Sequence, residues 1–340
     1  MAKKTSIGGQ AVIEGIMMKG PRKTALAVRI PDGSIDIEYI TEKHLKDKFK
    51  PAGWPIIRGC VNFVESMVTG YGALMKSADK SGFTDLEEEK DSEASENEEE
   101  IKDEIKEEPA EKSKDEPEKK SGMDKLTGVI MIIASVLGVG LSLLLFMYLP
   151  ALLFDLVNGW TSGAISELKA VFEGILKMLI FFLYVLLVSR MKDIRRVFQY
   201  HGAEHKTIFC YEKGEELTVE NVKKQSRFHP RCGTSFMILM LVVGIVLGIV
   251  LTWIFPSLQE SSFRPIWVAI KILMVPIICG VGYELLKVCG RHDNLMTRIV
   301  AAPGMWMQRL TTQEPEEPMM EVAIESLKAV LPENEDEDNW

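Results

Sequence analysis

The 340-residue sequence predicts an α-helical polytopic membrane protein, with four transmembrane helices joined to a small cytoplasmic α+β unit at the N-terminus. Three observations point there. Four segments are apolar over the roughly 20 residues that a bilayer crossing requires. Before the first of them the hydrophobic pattern alternates as in strands and then turns helical. Charge is also divided sharply along the chain, behind a modest net value of −9. Residues 85–120 contribute −11 and residues 313–340 contribute −9, so the other 276 residues carry +11. An apolar content of 46% excludes a collagen-like or wholly disordered chain, and five scattered cysteines are no disulfide framework.

Residues 1–80 make up the N-terminal unit. Thr24–Ile30 and Ser34–Ile40 alternate in apolar character around Pro31-Asp32-Gly33, the pattern of a β-hairpin closed by a glycine-containing turn. Upstream, GGQAVIEGIMMKGP lacks the Lys-Ser/Thr helix start of a phosphate-binding loop and reads as tight turns in a small β unit. From Trp54 to Ala78 the period is helical, with Pro55 in the first turn and Ile57, Cys60, Val61, Val64, Val68, Tyr71 and Met75 on an apolar stripe. Polar residues interrupt it too often for a comfortable crossing, so it is expected in the cytoplasmic interface or against the spans.

Residues 81–121 are of low complexity and cannot bury a core, which predicts a disordered acidic tether. The membrane domain covers 122–312, with spans at about 126–154, 172–189, 236–255 and 266–286. An acidic helix, periodic over Glu321–Leu331, and a solvated tail complete residues 313–340.

Basic residues in the short loops set the orientation. The loop at 189–235 has ten Lys/Arg, the loop at 155–173 only Lys169, and the loop at 256–265 only Arg264. Lys287, Arg291, Arg298 and Arg309 follow the fourth span. Both termini and the 189–235 loop are therefore expected in the cytoplasm. Glu284 is the one acidic residue deep in a predicted span, and Gly244 with Gly248 can let the third span pack closely on a neighbour.

Four of the five histidines fall on that predicted cytoplasmic face. His201-Gly-Ala-Glu204-His205 puts two imidazoles one turn apart on one helix face, with Glu204 beside them. Histidines at i and i+4 can share a metal ion, and a carboxylate that is not a ligand can take a proton from an activated water, as in inverted zinc peptidases. Two histidines do not complete a site. His229-Pro-Arg-Cys232, 24 residues on, offers His229 and Cys232 as further ligands, with Cys210 as an alternative thiolate. Between them, a polar helix capped by Thr218 can fold 229–232 back onto 201–205. Beyond the fourth span, His292 or Asp293 can be another ligand or can orient a ligand histidine. Three readings stay open at this point: a catalytic divalent metal, zinc by its donor set; a structural metal that staples the loop; and polar contacts without metal.

Across GGQAVIEGIMMKGP, YHGAEHKTIFCYE, HPRCGTSF, RHDN and AAPGMWMQRLTT the chain resembles the YqhQ-like bacterial membrane proteins, a family named for a domain of unknown function. The resemblance runs from Ile7 to about Glu325, and YHGAEHK followed by HPRCGTSF is its most specific part. It implies a multi-spanning protein of the bacterial inner membrane, described as a metal-dependent enzyme.

The resulting expectation is a metal-dependent hydrolase at the cytoplasmic membrane surface. His201, His205, His229 and Cys232 would hold the ion, Glu204 would be the general base, and His292 and Asp293 would orient ligands. The alternative is a scaffold or chaperone for membrane-protein biogenesis with a structural metal. A transporter is weaker, because the spans hold no paired charges. The bilayer is the expected partner, other membrane proteins are candidates, and nucleic acid is not expected.

Overall fold

The computed structural model describes residues 5–42, 44–83, 133, 135–256, 264–292, 294–333 and 338. The predicted tether from residue 84 onward, the first residues of the predicted first span, and Asp293 lie outside the described residues. The chain divides into two units, residues 1–86 with 181–340 and residues 87–180.

In the first unit, β1 (Gly8–Val12), β2 (Gly15–Lys19), β3 (Thr24–Arg29) and β4 (Ile35–Ile40) form an antiparallel meander in sequence order. The β3–β4 hairpin is the expected one, with Gly33 at φ +89 in its turn. The stretch read as tight turns is instead a second hairpin, closed by Ile13 and Glu14. Neither strand shows an in–out period, because β2 is buried on both faces and β1 is mostly half-buried. Ile16, Met18, Ala25 and Ala27 face one core, while Val12, Met17, Leu26 and Val28 face another.

The predicted interfacial helix is α1 (Ile57–Lys80). It starts after Pro55, not around it, because Ile56 takes φ +71, an unusual conformation for a β-branched residue. The Ile56 backbone fills the space above Gly280, where a Cβ would stand 2.4 Å from its carbonyl oxygen. The other end of α1 covers the sheet through Ala73 and Leu74.

The second unit holds α2 (Ser135–Trp160), which has a π-helical turn at Leu144–Tyr148 just before Pro150. Proline has no N–H to donate, and the wider turn absorbs that gap. α3 (Lys169–Val188) starts in this unit and ends in the first. Near its start, Phe172 packs edge-on to Phe154 and the Lys169 ammonium lies 5.4 Å from the same ring.

Six helices follow in the first unit: α4 (Lys192–Glu212), α5 (Val219–Lys223), α6 (Gly233–Ile254), α7 (Arg264–Leu273), α8 (Val275–Arg291) and α9 (Leu295–Thr311). A last helix, α10 (Glu317–Val330), lies close to the C-terminus. Four helical stretches are long and apolar enough to cross a membrane: Ser135–Trp160, Ser166–Val188, Gly233–Ile254 and Ala269–Arg291. They match the four predicted spans with shifted ends. The fourth is broken at Met274, where Pro276 restarts the helix.

Glu284, the acidic residue deep in the fourth span, is paired: Arg58 of α1 donates to its two oxygens at 2.7 and 2.6 Å. Gly244 faces Ile278 of α8 at contact distance, whereas Gly248 meets nothing.

The main core joins elements far apart in sequence. Tyr200, Ala203 and Ile208 of α4 pack with Ile16, Met18 and Ala25 of the sheet and with Met319, Met320, Leu327 and Val330 of α10. Burying each large side chain contributes roughly 1.5–3 kcal/mol. The N-terminal sheet and the C-terminal helix, expected as separate regions, thus share one core. The tail is not wholly solvated either. Asp338 is 0% exposed and accepts from Thr5 Oγ1 at 2.5 Å, Ser6 N at 2.8 Å and Tyr211 Oη at 3.0 Å.

Candidate metal centre

α4 presents His201 and His205 on one face, with ring centroids 4.4 Å apart. Opposite them, the chain leaving α9 crosses α4 at Gly202, where a Cβ would stand 2.0 Å from the Gln313 carbonyl oxygen. That crossing brings the Thr311 carbonyl 2.8 Å from His201 Nδ1. The Arg227 carbonyl lies 2.6 Å from His205 Nδ1. A carbonyl can only accept, so both Nδ1 atoms donate and Nε2 is the ring atom that either histidine can offer to an ion.

Those Nε2 atoms converge on Cys232, the N-cap of α6. His201 Nε2 is 3.1 Å from Cys232 Sγ, and the donor atoms of His201, His205 and Cys232 all lie within 4.8 Å of one another. His205 Nε2 is buried without a hydrogen-bond partner in a residue only 1% exposed. An orphaned lone pair in the interior costs about 1–3 kcal/mol unless something binds it. Zinc–nitrogen bonds of about 2.0 Å and zinc–sulfur bonds of about 2.3 Å would set a tetrahedral nitrogen and sulfur about 3.5 Å apart, so His201 Nε2 and Cys232 Sγ would part slightly from their 3.1 Å. The donor set fits a divalent ion of intermediate softness, with each histidine oriented by a backbone carbonyl.

Charge at the site has the matching sense. Burial would push the Cys232 thiol up, but His201 and His205 hold it well below the usual thiol range. Burial opposes a charge on His201, yet the adjacent Cys232 sulfur raises it to about 9. A cysteine held as thiolate is the form that binds metal.

Glu204 is turned toward the sheet. Its Oε1 accepts from Gly9 N at 3.0 Å, and its Oε2 is buried with no partner. Gly9 permits this approach, because a Cβ there would stand 3.0 Å from the Glu204 carboxyl carbon. Burial raises the Glu204 carboxyl above the usual range, against the pull of His201 and His205.

The other predicted residues fall elsewhere. His229 is a neighbour of the donor set and not part of it: its ring lies 5.5 Å from that of His205, and its Nε2 points to Glu212 Oε2 at 3.6 Å and Arg231 Nη2 at 3.4 Å. Burial lowers it to about 4, so it stays neutral. Cys210 faces the Glu216 carbonyl at 3.5 Å, behind α4, and is not in the cluster. His292 is exposed at the end of α8, with Nδ1 3.3 Å from the Val288 carbonyl. Asp293 lies outside the described residues, and Asn294 beside it is the N-cap of α9.

Several residues that build the site gave no sequence signal. Gln308 is 0% exposed; its Oε1 accepts from His229 N at 2.7 Å, and its Nε2 donates to His229 O at 2.7 Å and Ser235 Oγ at 3.1 Å. It fixes the strand of loop that ends in Cys232. Glu212 accepts from Arg231 and from Thr5 N at 2.8 Å, tying the N-terminus to the same loop. Glycines 9 and 202 and the Thr311 carbonyl act through backbone atoms, for which residue type is no guide.

Fold and site together define a helical protein with four membrane-capable helices and a buried His-His-Cys group able to hold a metal ion. A family model described as "Protein of unknown function (DUF1385)" matches residues 54–333, and the chain belongs to that family. The uncharacterized protein YqhQ of Bacillus subtilis (strain 168) is 32% identical over 327 residues, covering 95% of this chain and 92% of that protein. No solved structure matches.

Proposed function

We propose that the protein is a metal-dependent hydrolase of the bacterial inner membrane, with its site on the cytoplasmic side. The observation that supports it best is two unsatisfied buried atoms on consecutive residues of α4: His205 Nε2, in a three-donor cluster, and Glu204 Oε2. Three protein ligands leave a fourth position open, the arrangement of catalytic rather than closed structural zinc sites. A divalent ion held by His201, His205 and Cys232 supplies Lewis acidity. Glu204 takes the proton of the attacking water at Oε2 and returns it to the leaving group. Burial raises its carboxyl, which makes it a stronger base for that exchange, and the Gly9 N–H keeps the other oxygen in place. An ester or amide bond presented at the membrane surface is the substrate class that fits.

The test is metal content and function together. Detergent-purified wild type is expected to hold about one ion per chain, with His205→Ala and Cys232→Ser below half. Glu204→Gln should keep the ion while lowering turnover by roughly 10²–10⁴. Complementation of a deletion strain reads the functional half. A Glu204→Gln protein that complements fully, beside a His205→Ala protein that does not, sinks the hydrolase. It would favour the scaffold with a structural metal, which the near-complete burial of His205 and Cys232 also suits.

A further inference from the structure

Away from the histidine cluster, a cavity of about 980 Å³ lies between the sheet, α1 and α8. Lys19 and Lys23 of the β2–β3 hairpin, His44 and Lys46 after β4, Glu65 of α1 and Tyr283 of α8 are among its walls. Its carboxylates are already engaged. Glu42 binds Lys19 and accepts from Thr24 Oγ1 at 2.8 Å, and Glu65 accepts from Leu45 N at 2.7 Å with His44 Nδ1 at 3.0 Å. Lys23 and Lys46 are exposed and form no ion pair with any described residue. The cavity is thus a half-open cleft whose two carboxylates already hold ion-pair or hydrogen-bond partners, while Lys23 and Lys46 remain exposed, the electrostatics of an anion site.

Its position narrows the anion. Tyr283 belongs to a helix long and apolar enough to cross a membrane, and Asn62 Nδ2 donates to its hydroxyl at 3.0 Å, joining the wall to the span. On α1, Val64 and Val68 next to the lining residue Glu65 are exposed apolar groups. A volume of this size accommodates a phosphate with a polar linker, and the apolar rim suits the acyl chains attached to such a headgroup. We propose that the cavity binds the phosphate headgroup of an anionic membrane lipid, independently of the metal centre. Free phosphate shares the chemistry and is the rival source.

The experiment monitors thermal unfolding of the full-length protein in detergent at fixed ionic strength. Mixed micelles with phosphatidylglycerol are expected to raise the midpoint by several degrees, and micelles with phosphatidylcholine to leave it unchanged. Lys23→Glu with Lys46→Glu should abolish the rise and keep the lipid-free midpoint, since both side chains are exposed. Lys23→Gln with Lys46→Gln should lose most of it. Lys48→Glu with Lys50→Glu, exposed cations close by but outside the lining, should keep it. An equal rise in the Lys23/Lys46 variants, an equal loss in the Lys48/Lys50 control, or no rise in wild type overturns the proposal. A full shift with inorganic phosphate alone, leaving no further lipid effect, assigns the cavity to soluble phosphate and overturns the lipid.

Discussion

A buried glutamine holds the loop that ends in Cys232. Gln308 satisfies both backbone groups of His229, so Gln308→Leu leaves an N–H and a carbonyl unpaired in the interior, at a cost of about 3 kcal/mol. Because the loop carries a donor, metal affinity should fall roughly tenfold to a hundredfold as well, measurable by competition with a chelator. Glu212 makes a different prediction, in pH. Burial pushes its carboxyl up, but His229, the Arg231 charge and the Thr5 N–H outweigh that and hold it below its ordinary 4.5. The folded protein therefore takes up this proton at lower pH than the unfolded chain. Its contribution is complete above about pH 4.5 and is lost as pH falls through the folded value. Glu212→Gln should lower the midpoint at pH 7 by the equivalent of about 3 kcal/mol and show a shallower fall as pH drops below 4.5. These residues also show where the sequence ceases to be legible. His201, Glu204, His205 and Cys232 stood out because chemistry follows side-chain type and spacing. His229 stood out on the same grounds, but spacing does not say which way a ring turns, and Glu212 with Arg231 turns it aside.

At the scale of elements, length and composition located the four long apolar helices and the β3–β4 hairpin, because each obeys one period throughout. β2 escaped because burial on two faces removes the alternation, and β1, mostly half-buried, shows none either. Contacts between elements were out of reach, since they depend on what a missing side chain allows. The crossing at Gly202 is the clearest. A Cβ there would overlap the Gln313 carbonyl oxygen, a backbone atom that cannot swing aside. Gly202→Ala should displace the segment after α9, taking the Thr311 carbonyl away from His201 Nδ1. Bound metal should drop by roughly tenfold in affinity or more. Gly72→Ala, on an open face of α1, should be neutral or slightly stabilising. A Gly202→Ala protein with wild-type metal retention under chelator dialysis would show that the carbonyl does not orient His201.

The whole molecule imposes a constraint that no single element states. The sheet precedes every membrane-capable helix, α4 follows two of them and α10 follows four, yet all three share one core. A shared core lies on one side of a membrane, so the crossings between the sheet and α4, and between α4 and α10, must each be even in number. Two membrane-capable helices fall in each interval among the described residues. This parity comes from packing, and the basic loop bias comes from composition; they agree without depending on each other. The proposed side follows from the bias: ten Lys/Arg in 189–235 are the composition expected of a cytoplasmic loop. A cell-impermeant thiol reagent tests both. In a background with the native cysteines replaced outside the metal centre, Ser162→Cys between α2 and α3 should label in intact cells. Glu215→Cys beside α4 and Glu325→Cys on α10 should label only after permeabilisation. Glu215 and Glu325 labelling on opposite sides would break the parity and with it the shared core. All three sites inverted together would keep the core and overturn only the assigned side, moving the His201–His205–Cys232 cluster out of the cytoplasm.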